Sequence, residues 1–340
     1  MAGLCAAREL VAAGRRVVVV DKARGLGGRM ATRRIGSAVC DHGAQFFTVR
    51  GRAFGGLVAE AQAAGTVVEW CRGFTQDGSL GPESGADGHP RWRGARGMTD
   101  LPKRLAELLA TAGDGACLVQ TGRKGLAVSI EDGRVRVDIE DREGQRDSVL
   151  ATGGILTAPV PQALDLLTAG GVIPATAEAA EPESVASLRS VTYDPCFALM
   201  LVLDRPSRVP PPGGIQLNRA SGGPIAWIAD NQQKGISPLP AITIHSSPGF
   251  SREHFDDEPA GVAAQLLAAA ERWIEGGAAG VVEQSLQRWK FARPVLMFDA
   301  PLAVVSREPP IVLAGDAFVG QRVEAAVTSG AAAARWLLRG

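Results

Sequence analysis

Four consecutive valines, Val17 to Val20, run straight into Asp21, and a loop holding Gly25, Gly27, Gly28 and Arg29 follows at once. An unbroken β-branched run of this kind predicts a buried parallel strand, because both of its faces need apolar cover. Ahead of it, Leu4, Ala7, Leu10 and Val11 recur at helical spacing up to Gly14, a residue suited to ending a helix. Helix, strand, acid and glycine loop in that order read as the second half of a β-α-β unit, which points to an α/β protein built on a nucleotide-binding sheet.

A dinucleotide fingerprint places G-x-G-x-x-G between the first strand and the first helix, with an acid about twenty residues on that accepts hydrogen bonds from a ribose. Only the third glycine has a counterpart here: Gly3 allows close helix packing, and Asp21 lies 18 residues beyond it. The first strand and the two phosphate-contacting glycines would fall before residue 1. Adjacent Gly27 and Gly28 let backbone N–H groups approach a pyrophosphate, Arg29 brings charge there, and Thr32 can hydrogen-bond. The pattern G-G-R-x-x-T directly after an acidic strand end is uncommon in NAD dehydrogenases and typical of one class of FAD enzymes. At the far end Gly315-Asp316 follows an apolar strand, Ile311 to Ala314, and Val323-Glu324-Ala325-Ala326 opens a helix. Asp316 can hold a ribityl or phosphate oxygen, or serve only as a cap. The helix N-terminus, with about half a positive charge, can stabilise an anionic reduced ring.

Composition narrows the partners. The 340 residues suggest about two domains, and 36 basic against 36 acidic side chains create no overall field for nucleic acid. Residues 1–34 nevertheless hold eight Arg and Lys against two acids, so a local anion site is expected; Arg24, Arg33 and Arg34 belong to this excess, the last two being equally readable as a solvated loop. Cys5, Cys40, Cys71, Cys117 and Cys196 are scattered without metal-ligand spacing and read as reduced thiols, so no metal is expected. No run of 18 apolar residues exists, and Arg8, Glu9, Arg15 and Arg16 interrupt any leader, which points to a cytoplasmic protein with no membrane partner. A lone tyrosine, Tyr193, excludes any mechanism that needs two.

Further helices are predicted over 54–64, 101–112, 259–275 and 323–338, and strands around Leu118, 127–130, 135–139, 155–157, 191–203, 225–228 and 242–245. The stretch 73–97, rich in Gly, Asp and Ser, reads as loop, and 174–186 as a surface connection. Ala151-Thr152-Gly153-Gly154 imitates a flavoprotein motif but reads as a turn. A lone His42, with no Ser or Cys nucleophile to pair with, reads as a satisfied structural histidine. The resulting architecture is a Rossmann-like FAD-binding domain (1–72, 97–184 and 292–340) that lacks its N-terminal strand and first glycines. An inserted α+β antiparallel-sheet substrate domain occupies 73–96 and 185–291.

Several segments together resemble the renalase family, FAD-dependent relatives of the monoamine oxidases. They are Gly27-Gly28-Arg29-Met30, Asp41-His42-Gly43-Ala44-Gln45, Arg91-Trp92 with Gly97-Met98, Pro159-Val160-Pro161, Trp227-Ile228-Ala229-Asp230-Asn231-Gln232-Gln233-Lys234, Arg288-Trp289-Lys290 and Gly315-Asp316. The resemblance implies noncovalent FAD and an activity: oxidation of misformed dihydronicotinamide isomers, the 2- and 6-dihydro forms of NAD(P), by hydride transfer to flavin N5, with O2 reduced to hydrogen peroxide. It implies that Asp21 binds the adenosine ribose, that Gly27, Gly28 and Arg29 meet the phosphates, and that Gly43, Ala44, Gln45 and Phe46 line the isoalloxazine edge. Asp316, Glu324 and Ala325 would meet the ribityl chain and pyrimidine, and Arg123 stands where a backbone group meets adenine. Gly3, Lys22, Pro159 and Gly315 complete the cofactor side, while Tyr193, Asn231, His245 and Trp289 would face the substrate. An FAD-dependent amine oxidase is the alternative enzyme, although a single tyrosine fits an aromatic sandwich poorly. A cofactor-free remnant with a binding role is the alternative of another class.

Overall fold

A computed structural model describes residues 1–76, 86–112, 115–176, 183–217 and 222–339. The chain opens with α1 (Ala2–Ala12), β1 (Val17–Asp21), β2 (Thr32–Ile35), β3 (Ala38–Asp41), α2 (Arg52–Ala63), β4 (Val67–Gly73), β5 (Thr75–Gln76), β6 (Ala86–Gly94) and α3 (Asp100–Thr111). Next come β7 (Cys117–Thr121), β8 (Lys124–Glu131), β9 (Arg134–Glu140), β10 (Arg146–Ala151), β11 (Gly154–Leu156), α4 (Val160–Ala169) and α5 (Glu183–Arg189). The remainder holds β12 (Tyr193–Leu203), β13 (Gly214–Gln216), β14 (Ile225–Asp230), β15 (Ala241–Ser246), α6 (Pro248–Glu253), α7 (Pro259–Ala270), β16 (Val281–Pro294), β17 (Ala303–Arg307), β18 (Pro310–Leu313) and α8 (Val323–Leu337).

Two parallel pairings form the nucleotide-type core: β1 with β7, and β11 with β18, whose other edge carries antiparallel β17. Small residues bring α1 against α8, where a Cβ on Gly330 would lie 2.2 Å from the Ala2 carbonyl oxygen. Leu101, Leu105 and Leu109 repeat every fourth residue along α3, and that apolar stripe closes the core under α1, α2 and β1. The valine strand departs from expectation. Val17 and Val19 pack into this core, but Val18 is 42% exposed, and Leu118, its partner in register, is 52% exposed. Among the described residues β1 has β7 as its one neighbour and no layer covers the Val18 face, so β-branched character here marks a strand buried on one side.

The second sheet has the order β16-β12-β15-β14-β13-β5 and is antiparallel except where β13 meets β5. Along β12, Phe197, Leu199, Leu201 and Leu203 point toward α7 and its Val262 and Leu266. Met200 and Val202 point the other way, onto Ile35, Ala38 and Cys40 of the β2–β3 hairpin. Cover on both faces explains the continuous apolar run in that strand, and the hairpin contact seats the sheet against the first part of the chain. The predicted loop at 73–97 is corrected: β4 and β6 pair antiparallel, with Glu69 opposite Trp92, because alternating residues of 86–94 can present Trp92 inward despite the glycine-rich composition. Residues 77–85 of that stretch, and 177–182 of the predicted surface connection, lie outside the described residues; Glu183–Arg189 is helical. The helix predicted to reach Glu275 ends at Ala270 in a short 3₁₀ turn, and Thr152-Gly153 is the turn between β10 and β11.

Candidate functional site

The glycine loop after β1 turns sharply. Gly27 and Gly28 have φ of 119° and 54°, left-handed values that L side chains rarely adopt, and a Cβ on Gly28 would meet no atom within 4 Å. The loop therefore opens onto free space. Gly315, φ 155°, opens likewise, and its N–H is fixed by Ser329 Oγ at 2.8 Å. Arg29 spans the two loops, donating to Asp316 Oδ1 at 2.5 Å, with both side chains half-buried. This bridge draws the ends of β1 and β18 together. Asp21 Oδ1 accepts from Ala23 N at 2.9 Å, and the Asp21 carbonyl accepts from Arg123 N at 3.0 Å. The Arg123 guanidinium turns to Asp141, Lys22 Nζ reaches Gln162 at 3.4 Å, and Pro159 stands just before α4. A Cβ on Gly3 would lie 3.1 Å from Thr157 Oγ1, which keeps α1 tight against β11.

Toward the second sheet, residues 42–46 are clamped beneath the same loop. His42 N donates to Ala31 O and Ala44 N to Arg29 O, and a Cβ on Gly43 would lie 2.0 Å from Arg29 O. Gln45 Nε2 donates to the Asp41 carbonyl at 2.7 Å and lies 3.4 Å from His245 Nε2. Trp289 Nε1 donates to the His42 carbonyl at 2.9 Å, and its ring stacks on the imidazole at 5.4 Å and 18°. Phe46 joins Trp70, Phe74 and Trp227 in an aromatic group with mostly tilted and edge-on contacts. Burial, with Arg33 and then His245 adding to it, pushes the His42 imidazole down to about 3; burial likewise pushes His245 down to about 4. Both rings are therefore neutral near pH 7. Under this segment lies Asp41, which accepts from Lys234 Nζ at 2.7 Å, Thr32 Oγ1 at 2.5 Å and Met98 N at 2.9 Å; both charged side chains of the pair are wholly buried.

The structure thus links Arg29 of the Gly27-Gly28 loop to Asp316 beside Gly315, packs Gly43 and Ala44 against the Arg29 backbone, and sets Gln45 beside His245 and His42 beside Trp289. Other predicted residues stand elsewhere. Tyr193 accepts from Val160 N at 3.1 Å and sets its ring edge-on to Phe291 with Arg29 above it, beside the Arg29–Asp316 pair rather than with His245. Asn231 has no exposed surface, and its amide joins Asp41 N, Ala241 O and Thr243 Oγ1, so it fastens β3 to β15 and leaves no atom for a substrate. The Glu324 carboxylate caps α2 through Arg50 N and Gly51 N, and Ala325 is buried in α8. His42 is not the satisfied histidine expected, because its Nδ1 is buried without a partner, as are Gln45 Oε1 and Trp227 Nε1. Sequence reasoning also missed Lys234 and Trp227 as site-building residues; both lie in the segment 227–234 that carried the resemblance.

These orphaned polar atoms test the fit of a flavin. Buried polar groups normally have partners, and a flat heteroaromatic ring edged with N–H and C=O groups offers a donor for Gln45 Oε1. Together with the open space at Gly28 and Gly315 and the charge of Arg29, the residues present fit FAD. Among the described residues no group of three or more His, Cys, Asp or Glu could hold a metal ion, and no helix is long and apolar enough to cross a membrane.

Residues 1–69 match the family model of the NAD(P)-binding Rossmann-like domain. Over its whole length the chain is similar to the structure of a provisionally named protoporphyrinogen oxidase from Exiguobacterium sp. 255-15 (TM-score 0.71, 16% identity, 100% of this chain and 97% of that one). It is also similar to putrescine oxidase solved with putrescine (TM-score 0.66, 15% identity, 100% and 97%) and to the fatty acid isomerase of P. acnes that produces CLA (TM-score 0.65, 10% identity, 99% and 96%). The chain is an α/β protein with a Rossmann-like dinucleotide-binding domain and a sheet-rich second part, a fold shared by two oxidases and an isomerase, so the reaction must be argued from the site.

Proposed function

We propose that the chain is a renalase-like flavoprotein oxidase of the cytoplasm, where its five cysteines stay reduced. It would oxidise 2- or 6-dihydro isomers of NAD(P) with noncovalent FAD, by the balance dihydro-NAD(P) + O2 + H+ → NAD(P)+ + H2O2. The observation that carries this reading is the wall made by His42, Trp289, His245 and Gln45, which is flat, neutral and hydrogen-bonding. When bound, FAD supplies the electron-pair acceptor that takes hydride from the donor and passes the electrons to O2. The chain's own task is then to stack and orient a ring that is already reduced and to keep water away. Trp289 on His42 supplies the stacking surface, the unpartnered His42 Nδ1 can take up a carboxamide edge, and the aromatic group around Phe46 keeps the cleft dry. No side chain has to remove a proton from the donor carbon, which agrees with two imidazoles held neutral by burial rather than activated by a carboxylate. A cationic amine is served less well: Asp41, the carboxylate next to the site, is already occupied by Lys234. The test is peroxide release by the purified, FAD-supplied chain with dihydronicotinamide isomers and, in parallel, with putrescine and simple monoamines. Turnover of the isomers alone is expected, and turnover of amines alone would overturn the proposal.

A further inference from the structure

Arg33 was readable as a solvated surface residue, but β2 delivers it to β16. Its Nη1 donates to Ser285 Oγ and its Nη2 to Gln287 Oε1, both at 2.8 Å. Ser285, Gln287 and Trp289 alternate along β16 and therefore share a face, with about 7 Å of strand between Gln287 and Trp289. A guanidinium carries five N–H donors and cannot lose its charge. Two of the five are engaged here by neutral acceptors, and the side chain is half-buried. Several neighbouring arginines have carboxylates: Arg29 has Asp316, Arg123 has Asp141, and Arg252 and Arg293 share Asp194, whereas Arg93 and Arg288 donate to backbone carbonyls. Among the described residues Arg33 has no carboxylate. Beside it His42, stacked on Trp289, is held neutral by burial with Arg33 assisting, and its Nδ1 has no partner. The wall therefore carries an uncompensated positive charge at one end and a neutral aromatic surface at the other.

We propose that Arg33 is a specificity-determining residue that receives an anionic group of the substrate, a phosphate attached about one nucleoside away from the ring that stacks at Trp289. The placement of the ring rests on the function proposed above, whereas the sign of the charge rests on Arg33 alone. Two fixed acceptors hold the guanidinium in place, so its remaining donors are oriented before a ligand arrives, and planar donors of this kind match phosphate oxygens. The same charge disfavours ammonium substrates at this wall.

The experiment is calorimetric binding of nicotinamide mononucleotide and nicotinamide riboside, which differ by one phosphate, to the FAD-loaded chain and its Arg33→Gln and Arg33→Lys variants. Wild type is expected to bind the mononucleotide about 10- to 100-fold more tightly, with a preference that shrinks as salt is raised. Arg33→Gln is expected to abolish that preference without changing riboside affinity, and Arg33→Lys to restore part of it. Equal affinity of wild type for the two probes, no measurable binding of either, or equal weakening of both by Arg33→Gln would overturn the proposal. Should Arg33→Gln fail to fold, the wild-type preference and its salt dependence still decide. A chain that oxidises dihydronicotinamides without a phosphate preference sinks this inference alone. A chain with an Arg33-dependent preference that leaves those donors untouched sinks only the proposed reaction.

Discussion

Acidification should unfold this protein through two particular histidines. His42 titrates at about 3 and His245 at about 4 in the folded chain, against 6.5 for a free imidazole, because burial disfavours the charged ring. Between those values the unfolded chain binds protons that the folded chain refuses, so stability is full above pH 6.5 and falls as the pH drops toward 4. Moving from about pH 7.5 to about pH 5 places some 1.5 pH units of this window on each ring, a loss of about 2 kcal/mol per histidine. The assay is urea unfolding followed by tryptophan fluorescence at both pH values, for wild type and for His42→Gln and His245→Gln. Groups away from these two rings are the same in all three proteins and cancel in the comparison. Each variant is expected to lose about 2 kcal/mol less than wild type on acidification. Variants that lose as much as wild type would show that these rings titrate normally, and the neutral wall on which the proposed chemistry depends would not exist.

Two more perturbations probe the elements around that wall. Lys234→Met should destabilise the chain by about 3–5 kcal/mol by leaving the Asp41 carboxylate buried without its cation. Adding Asp41→Asn should recover part of that loss, and strictly additive effects in the double-mutant cycle would show that the two groups do not interact. Asp316→Ala should weaken FAD retention about tenfold or more, read as flavin remaining after desalting; unchanged flavin content would remove Asp316 from the cofactor's contacts.

The two loops proposed to hold the phosphates were legible as strand-end turns in the sequence because their signals are local. Gly27, Gly28 and Arg29 are adjacent, and Gly315-Asp316 follows an apolar strand, so strand-turn chemistry places both loops without knowledge of the rest. The rest of the site was not legible because long-range pairing decides it. Lys234 finds Asp41 across 193 positions, and Arg33 finds Gln287 across 254, and no local pattern distinguishes either residue from a surface cation. Asn231 misled for the same reason: a polar residue in a motif can face a ligand or fasten two strands, and its three amide contacts make it a fastener. Among the strands, β12 announced itself by a continuous apolar run, whereas β16 did not. Its half-exposed, polar-rich alternation resembles a loop until its long pairing with β12 is seen. The valine strand shows the limit of composition, since β-branching reports a pleated environment and not how many faces are covered.

The central claim is that the cleft from Gly28 to Trp289 holds FAD against a reduced nicotinamide. Its most direct test is the visible spectrum of the chain after FAD is added and the excess removed by desalting, recorded without oxygen before and after one equivalent of 6-dihydro-NAD. Retention of about one flavin per chain, with bleaching by that equivalent and recovery of colour on admitting air, is the predicted result. A colourless protein, or a flavin that stays oxidised with the dihydronicotinamide and bleaches with putrescine, would contradict it.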